Sequence, residues 1–321
     1  MRKIDDEIQA LLSEHRGDIR SILKDNHRLD LLYALSSQRE LLLEWYDFEP
    51  EAEVLQVGAD YGALTGLLRS SVSAVTVLDE TESALETVRQ RYPGAANIYY
   101  RKDSLAGYAA EACAEGKKYD YVIFAGTLTA PYEKHIHAAK SLLKPDGILI
   151  VALANALGMK YFAGTVEEEN ALTKRQLAEL LCGDKETQSM ADENGTLKFY
   201  YPMPDYKTPV SIYSDAYLPK KGDLTRVTPA YDYPPYHLME QGEKFDTVCE
   251  AGLFDLYANS YLVFWSADPK QLQKDDERIF IKYNKTRREE FQIKTCICER
   301  NVIGAAGASG AAGADATGNS A

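Results

Sequence analysis

Two glycines and an acidic residue stand at the ends of two neighbouring apolar segments, where they could hold a nucleoside. The first segment begins at Val54 and leads into Gly58 and Gly62, and the second begins at Ala74 and ends at Asp79. A glycine after a strand lets the backbone approach a ligand closely, and an acid at the tip of the next strand can accept hydrogen bonds from a ribose diol. The pattern predicts a site for a cofactor that contains adenosine.

The spacing of the glycines narrows the choice of cofactor. A dinucleotide site requires G-x-G-x-x-G, but counted from Gly58 the second glycine is replaced by Asp60 and the third by Ala63. The chain also lacks a P-loop sequence. The turn typical of S-adenosylmethionine sites, approximately [DE]-x-G-x-G-x-G, is matched at Gly58 and Gly62, whereas Gln56 replaces its leading acid. The spacing favours S-adenosylmethionine, and a related domain that has lost its cofactor is the alternative.

The ends of the first four predicted strands would form the cofactor site. Asp79 is expected either to accept hydrogen bonds from the ribose or to cap the helix that begins near Thr81. Asp103 and Ser104 follow the third strand, where they contact the adenine edge or cap the helix at Leu105. The predicted cofactor-binding residues are Gly58, Ala59, Asp60, Tyr61, Gly62, Asp79, Glu80, Asp103, Ser104, Ala125 and Gly126.

The sequence does not identify a catalytic base. A sugar hydroxyl has a high pKa, so its methylation needs a base close to the acceptor, for which His135, Glu133, Asp205 and the acidic run 167–169 are the alternatives. His135 and His137 would face different sides of a helix, so no metal site is predicted. The tentative acceptor-binding residues are His135, Asn155, Tyr161, Asp205 and Tyr206.

Alternating strands and helices would position these residues. An alternating order implies a parallel sheet with right-handed crossovers, so we predict an α/β, Rossmann-like, doubly wound sheet. Two later segments rich in aromatic residues suit an antiparallel pair at one sheet edge, which makes seven strands in all. The predicted strands are 53–58, 74–79, 97–102, 119–125, 147–153, 197–203 and 259–266.

The composition changes along the chain and suggests four segments. Residues 1–46 are predicted to be an N-terminal helical segment, and residues 47–268 the main domain, with a Pro- and Tyr-rich insertion at about 204–242. Residues 269–303 are predicted to add a small C-terminal hairpin. Residues 304–321 are nearly all Gly, Ala, Ser and Asp, so we expect them to be disordered.

Charge and hydropathy exclude several classes of partner. With a formal net charge of -13, the chain would be repelled by a nucleic-acid backbone, and its clearest basic cluster, 282–288, is short. No apolar run approaches the roughly 18 residues of a membrane span, and residues 1–9 carry too many charges for a signal peptide. We therefore expect a soluble, cytoplasmic protein that binds no nucleic acid and has no membrane span.

Four segments carry a resemblance to a known family: 35–46 (LSSQRELLLEWY), 54–65 (VLQVGADYGALT), 154–164 (ANALGMKYFAG), and 199–209 (FYYPMPDYKTP) with 212–219 (IYSDAYLP). Through them the chain resembles the class I S-adenosylmethionine-dependent methyltransferases, and more narrowly bacterial members associated with polysaccharide or lipopolysaccharide biosynthesis. The resemblance implies a methyltransferase sheet, S-adenosylmethionine as cofactor, and a saccharide or cell-surface glycan precursor as acceptor. It also implies glycan-biosynthesis enzymes as partners.

The chain departs from the family pattern at several positions. Gln56 replaces an acid, Asp60 replaces a glycine, Ala154 replaces a glutamate, and the loop 165–170 lacks the usual histidine. The carboxylate of Asp60 would either pair with the ammonium group of the cofactor or repel its carboxylate. The alternative function is therefore a catalytically degenerate relative that serves as a scaffold or binding protein in glycan assembly.

Overall fold

The computed structural model describes residues 3–183, 195–225, 238–273, 276–285 and 288–300. Within these residues, ten strands form one mixed sheet. The strands are β1 (Glu53–Val57), β2 (Ala74–Asp79), β3 (Ile98–Lys102), β4 (Tyr119–Ala125), β5 (Leu143–Ala154), β6 (Thr196–Met203), β7 (Ser211–Ser214), β8 (Ser260–Ser266), β9 (Asp276–Asn284) and β10 (Ile293–Arg300).

Helices precede and connect the strands. Thr173 begins one of them with a capping box, in which its side chain accepts from the backbone of Gln176 while the Gln176 side chain accepts from the backbone of Thr173. The helices are α1 (Lys3–Glu14), α2 (Ile19–Asp25), α3 (Leu29–Leu35), α4 (Thr65–Ser71), α5 (Glu82–Arg91), α6 (Leu105–Ala114), α7 (Tyr132–Ser141), α8 (Met159–Phe162), α9 (Lys174–Cys182), α10 (Gln241–Glu250) and α11 (Phe254–Tyr257). None of the helices in the described ranges is both long and apolar enough to cross a membrane.

The sheet has a parallel half and an antiparallel half. Its strand order is β10-β9-β7-β6-β8-β5-β4-β1-β2-β3. Neighbours from β3 to β5 are parallel, and every neighbouring pair from β5 to β10 is antiparallel. The chain order reverses between β1 and β4, and ligands of open α/β sheets bind in the crevice at such a point.

Both faces of the parallel half are buried. In β4, Val122 and Phe124 belong to one apolar cluster, whereas Tyr121 and Ile123 belong to another, because successive side chains of a strand point to opposite faces. Helices α6, α7 and α9 pack in the first cluster, and α4 and α5 pack in the second. This arrangement keeps the carboxyl ends of β1 to β4 at one rigid edge.

The N-terminal helix α1 is hydrogen-bonded to α5, which packs on the sheet. The side chain of Gln9 donates to the carbonyl of Ser83 at 2.8 Å and to the hydroxyl of Thr87 at 3.2 Å. Tyr61, from the turn after β1, packs against a small apolar cluster of these helices. That cluster consists of Ile8, Leu12, Ile22, Leu31, Ala34 and Leu35.

The α/β class is confirmed, but the prediction of seven strands is wrong. Strand β7 lies within the stretch predicted as an insertion and pairs with β6. The β9–β10 hairpin was predicted as a separate extension, yet it continues the same sheet because Ile281 of β9 lies opposite Ile212 of β7. Because β7 and β9 are far apart in sequence, no local sequence pattern predicts that they pair. Strand β5 also begins earlier than expected, at Leu143.

Parts of two sequence predictions lie outside the described residues. These are residues 226–237 of the predicted insertion and the predicted disordered tail, 304–321. The division of the chain into four segments stays a prediction.

Candidate functional site

A cavity of about 520 Å³ opens at the carboxyl ends of β1 to β4. It lies where the strand order reverses, which is the expected position of a ligand site in this kind of sheet. Its lining residues are Asp5, Val57, Gly58, Asp60, Tyr61, Leu78, Asp79, Glu80, Thr81, Ala84, Asp103, Leu105, Phe124, Gly126, Thr127, Thr129 and His135.

The turn after β1 has an unusual backbone. Gly58 has a φ of 86°, and a β-carbon built on it would lie 2.5 Å from Cγ2 of Thr127, so only glycine fits there. Asp60 and Tyr61 follow with φ values of 39° and 55°. Two such non-glycine residues in succession are strained, and strain of this kind is typical of functional sites.

The side chain of Gln56 stabilises this turn through hydrogen bonds to its backbone. It is buried, and its amide nitrogen donates to the carbonyls of Gly58 and Ala59 at 3.1 and 3.3 Å. Its amide oxygen accepts a hydrogen bond from the Thr65 hydroxyl at 2.8 Å. An ionised acid at this position could not donate to the two carbonyls. The substitution that departs from the family pattern therefore has a structural role here.

Asp79 connects the tip of β2 to two neighbouring segments. One carboxylate oxygen accepts from the backbone N–H of Ala59 at 3.0 Å. The other accepts from the N–H and the hydroxyl of Thr81, both at 2.9 Å, just before α5 begins. Asp79 lines the cavity as well, so its carboxylate holds the turn and the helix start while it faces the ligand space.

The carboxylate of Asp60 has a charged partner that the sequence did not reveal. Nη2 of Arg39 lies 3.1 Å from Oδ2 of Asp60, and the guanidinium stands 5.2 Å from the ring centre of Tyr206. The Arg39 side chain is buried. Burial is the largest single influence and opposes its charge, but Asp60, Tyr206 and Asp205 together outweigh burial and raise the pKa of Arg39.

The structure brings seven of the eleven predicted cofactor residues to the cavity. The remaining four are Ala59, Gly62, Ser104 and Ala125, none of which is among the lining residues. Ser104 instead caps α6 by accepting from the N–H of Gly107 at 3.1 Å. The seven that line the cavity are Gly58, Asp60, Tyr61, Asp79, Glu80, Asp103 and Gly126.

Tyr206 reaches the edge of the cavity at Gly126. Gly126 has a φ of 81°, and a β-carbon there would lie 2.6 Å from the Tyr206 hydroxyl oxygen. That hydroxyl donates to Oε2 of Glu168 at 3.2 Å. Burial raises the pKa of Tyr206 well above its usual value, so this hydroxyl stays protonated.

His135 stands at the rim of the cavity with one ring nitrogen available. Its Nδ1 lies 2.8 Å from the carbonyl oxygen of Thr129. A carbonyl only accepts, so this hydrogen bond puts the proton of the neutral imidazole on Nδ1. The lone pair of Nε2 is then free to accept a proton from a ligand. Of the predicted base candidates, His135 is the one that lines the cavity.

A buried network of charges lies behind Tyr206. Nζ of Lys160 is 2.6 Å from Oδ2 of Asp205 and 2.8 Å from Oε1 of Glu168, and Lys207 lies 3.0 Å from the same oxygen of Glu168. The side chain of Lys160 has no exposed surface. Burial opposes ionisation of Glu168, but Lys160 and Lys207 outweigh it and lower the pKa of Glu168 to about 2.

The structure does not bring the five tentative acceptor residues together at the cavity. Asn155 is fully buried and donates to the carbonyls of Leu256 and Ala258 at 2.8 and 2.7 Å. The Tyr161 hydroxyl accepts from the N–H of Glu168 at 3.3 Å. Asp205 and Tyr206 are also buried in the network, and among these five residues only His135 lines the cavity. The polar groups of Asn155, Tyr161 and Asp205 are thus used in hydrogen bonds and ion pairs within the protein.

Sequence reasoning missed several residues of the site. Thr127 directly follows Gly126, so extending the predicted strand end by one residue would have found it. Arg39 and Asp5 come from the N-terminal helical region, far from the glycine turn in sequence. No local sequence pattern predicts that Arg39 and Asp5 lie near this turn.

The charged groups of the cavity lining are almost all acidic. Among the residues that the structure describes, five carboxylates line it, and no lysine or arginine does. Such a lining attracts cations and repels phosphate groups. In the described ranges, no group of three or more His, Cys, Asp or Glu side chains is arranged to hold a metal ion. The lining carboxylates are Asp5, Asp60, Asp79, Glu80 and Asp103.

Comparison with known proteins finds similar solved structures but no similar sequence. No protein-family model matches the chain, and no curated protein matches its sequence. Among solved structures, a phosphoethanolamine N-methyltransferase of Haemonchus contortus is 13% identical, with a TM-score of 0.44 over 81% of this chain and 48% of that chain. A putative S-adenosylmethionine-dependent methyltransferase of Streptococcus mutans is 11% identical, with a TM-score of 0.42 over 71% and 47%.

A third solved structure belongs to a different reaction class. A precorrin-8W decarboxylase of Methanobacterium thermoautotrophicum is 18% identical, with a TM-score of 0.36 over 52% of this chain and 77% of that chain. The chain spans about half the length of the other two proteins. We base the functional proposal on the geometry of the cavity, since these similarities are low.

Proposed function

We propose that this protein is an S-adenosylmethionine-dependent methyltransferase that acts on a saccharide or cell-surface glycan precursor. One observation carries the first part: the cavity combines a strained glycine turn after β1 with a carboxylate at the tip of β2. The turn would bring the backbone close to the ligand, and Asp79 would accept hydrogen bonds from its ribose.

The charge of the cavity supports this cofactor over a dinucleotide. S-adenosylmethionine carries a cationic sulfonium and no phosphate, whereas NAD carries two phosphates. In the described part of the lining, five carboxylates without a lysine or arginine favour the sulfonium and disfavour the pyrophosphate. The glycine spacing from Gly58, which lacks the dinucleotide pattern, agrees with this preference.

The residues of the chain would act mainly by positioning. When bound, S-adenosylmethionine supplies an electrophilic methyl group, and transfer requires an in-line approach of the acceptor. Asp79 would hold the ribose, and the turn at Gly58 would hold the rest of the cofactor. His135 would accept the proton of the acceptor hydroxyl at Nε2, because Nδ1 is occupied by the carbonyl of Thr129.

The acceptor class is supported by the resemblance of residues 154–164, 199–209 and 212–219 to glycan-associated methyltransferases. A groove of about 540 Å³ beside these segments adds to this support, because Tyr33, Glu168 and Lys207 line it. An aromatic ring beside charged groups suits a polyhydroxyl ligand. A cytoplasmic location and glycan-biosynthesis enzymes as partners belong to the same proposal.

A catalytically degenerate scaffold in glycan assembly is the second candidate. Asp60 stands where the family has glycine, and its carboxylate is engaged by Arg39. In addition, Asn155, Asp205 and Tyr206 are buried rather than open to an acceptor. These features favour a protein that keeps the fold but transfers no methyl group.

Release of S-adenosylhomocysteine from S-adenosylmethionine, measured with a panel of saccharide and glycan-precursor acceptors, separates the two candidates. We expect acceptor-dependent release, and none from Gly58→Val, whose side chain would collide with Thr127. Cofactor binding without release for any saccharide would contradict the enzyme and favour the scaffold.

A further inference from the structure

Strand β10 forms one edge of the sheet. It pairs with β9 on one side, and none of the described strands lies on its other side. An edge strand presents a row of backbone N–H and C=O groups that can pair with a strand of another chain. From Ile293 to Ile297 the register against β9 is regular, because the bulge comes after Ile297. This stretch of β10 therefore has the regular backbone that pairing with a further strand requires.

The apolar side chains on one face of this stretch are exposed. Ile293 is 51% exposed and Ile297 is 37% exposed. Thr295 lies between them and is exposed too, and the alternation of a strand puts all three on the same face. Natural sheets protect an edge strand with charged residues or proline, but this stretch has no proline and a single charged residue, Lys294. The edge at β10 is thus suited to association.

The opposite edge of the sheet, at β3, is protected. This strand ends in Arg101 and Lys102, and the guanidinium of Arg101 forms an ion pair with Glu111 of α6. Its exposed aromatic residue, Tyr99, stands only two residues before Arg101. Charges on an edge strand oppose pairing with another sheet. The contrast between the two edges favours β10 as the place where a second chain binds.

The sequence of β10 is complementary to itself in one antiparallel register. When two copies pair about a two-fold axis at Thr295, Ile293 of each copy lies opposite Ile297 of the other. Thr295 then lies opposite Thr295, and Lys294 lies opposite Cys296, so no like charges meet. Apolar pairs and threonine pairs at directly opposite positions stabilise antiparallel strands. A register centred on Lys294 would instead place two lysines opposite each other, which is unfavourable.

We propose that two copies of this chain associate through β10, in the register centred on Thr295. The two ten-stranded sheets then form one continuous sheet, and the exposed isoleucines of both copies are covered. The cavity at β1 to β4 lies toward the other end of the strand order, so the dimer leaves both cavities accessible. An overlap from Ile293 to Ile297 is a small interface, and we therefore expect a weak dimer that depends on concentration.

Sedimentation velocity of the full chain at increasing concentration tests the proposal. We expect a change from monomer to dimer between about 1 and 100 µM, the range of a weak interface. Ile297→Glu should raise the dissociation constant of the dimer about tenfold, because the two-fold axis repeats the lost apolar pair and two charges meet apolar side chains. Ile293→Lys should have the same effect for the same reason. Both side chains are exposed in the single chain, so the melting temperature of the monomer should stay unchanged.

A mixture of these two variants tests the register itself. In a mixed pair the introduced lysine of one chain lies opposite the introduced glutamate of the other, and one pair of isoleucines remains. We therefore expect the equimolar mixture to dimerise about threefold more tightly than either variant alone. Tyr99→Lys, at the protected edge, is the matched control and should leave the dimer unchanged.

Four results would overturn the inference. A full chain that stays monomeric at the highest of these concentrations would exclude the dimer. Ile297→Glu with the dissociation constant of wild type would show that β10 is not the interface. A mixture that dimerises no more tightly than the single variants would exclude the register centred on Thr295. Dissociation of the dimer by Tyr99→Lys would place the interface at β3 instead.

Discussion

The carboxylate of Asp79 is hydrogen-bonded to the backbone N–H of Ala59, at 3.0 Å, so that β2 shapes the turn that follows β1. The same carboxylate accepts two hydrogen bonds from Thr81. A carboxylate has about four acceptor sites, and three are used here. The sequence offered ribose binding and helix capping as alternatives, and the geometry shows that Asp79 supports the helix start whatever it binds.

Asp79→Ala should therefore lower both stability and affinity. We expect a loss of about 1–2 kcal/mol in the free energy of unfolding, since hydrogen bonds to a charged group are removed from the turn and the helix start. Affinity for adenosine should fall about tenfold while affinity for 2′,3′-dideoxyadenosine stays low and unchanged. Chemical denaturation and calorimetry measure the two effects, and a variant that still distinguishes these nucleosides would rule out ribose binding by Asp79.

Lys160→Met should be strongly destabilising. It leaves the buried carboxylate of Asp205, and part of the charge of Glu168, without a partner, which costs about 3–5 kcal/mol. The exposed pair Lys221–Glu250 provides the control, because Lys221→Met should not change the denaturation midpoint measurably. Equal midpoints for wild type and Lys160→Met would show that the network contributes little to the fold.

Glu168 should make stability depend on pH in acid. Its pKa is about 2 in the folded protein against an ordinary 4.5, because Lys160 and Lys207 favour the charged form. A lowered pKa stabilises the fold above pH 4.5, and the contribution is lost as the pH falls toward 2. Glu168→Gln should be less stable than wild type near neutral pH, by roughly 3 kcal/mol, and the gap should shrink in that window.

Unfolding free energies measured between pH 7 and pH 2 test this dependence. The exposed neighbour Glu167 gives the matched control, and Glu167→Gln should follow wild type throughout. A constant difference between wild type and Glu168→Gln across the acid range would mean that the carboxylate is not held by its lysine partners.

His135→Gln should separate catalysis from cofactor binding. A positioned general base typically contributes about 10²–10⁴-fold to a rate, so turnover should fall by that order while S-adenosylhomocysteine affinity stays within about threefold. His137 is two residues away on α7, is exposed and does not line the cavity, and His137→Gln should retain activity. Full activity in His135→Gln would exclude it as the base.

The parallel half of the sheet could be predicted because its signals are local. The buried strands read as short apolar runs, such as Ala74–Asp79, and each ends at a polar residue or glycine before a helix. The start of α9 likewise has a local signal in the sequence, because Thr173 and Gln176 have the spacing of a capping box. For the same reason Gly58 and Asp79 could be assigned to one edge of the sheet before the structure was known.

The antiparallel half and the charge network depend on contacts between distant segments. The four-residue strand β7 is too short for a clear pattern, and it is defined by pairing with β6 and β9. Lys160, Asp205 and Glu168 look like ordinary polar residues in sequence and meet only in three dimensions. Arg39 likewise lies 21 residues before Asp60, its partner in an ion pair. From the sequence alone, Asp60 could be interpreted only as a departure from the family's glycine.

Calorimetric titration of the full chain with S-adenosylhomocysteine and with NAD tests the central claim most directly. The adenosyl site with its acidic lining predicts saturable one-to-one binding of S-adenosylhomocysteine, and no detectable binding of NAD at the same concentrations. Gly58→Val should abolish the binding because its side chain would collide with Thr127. Absence of S-adenosylhomocysteine binding at millimolar concentration, or tighter binding of NAD, would contradict the account.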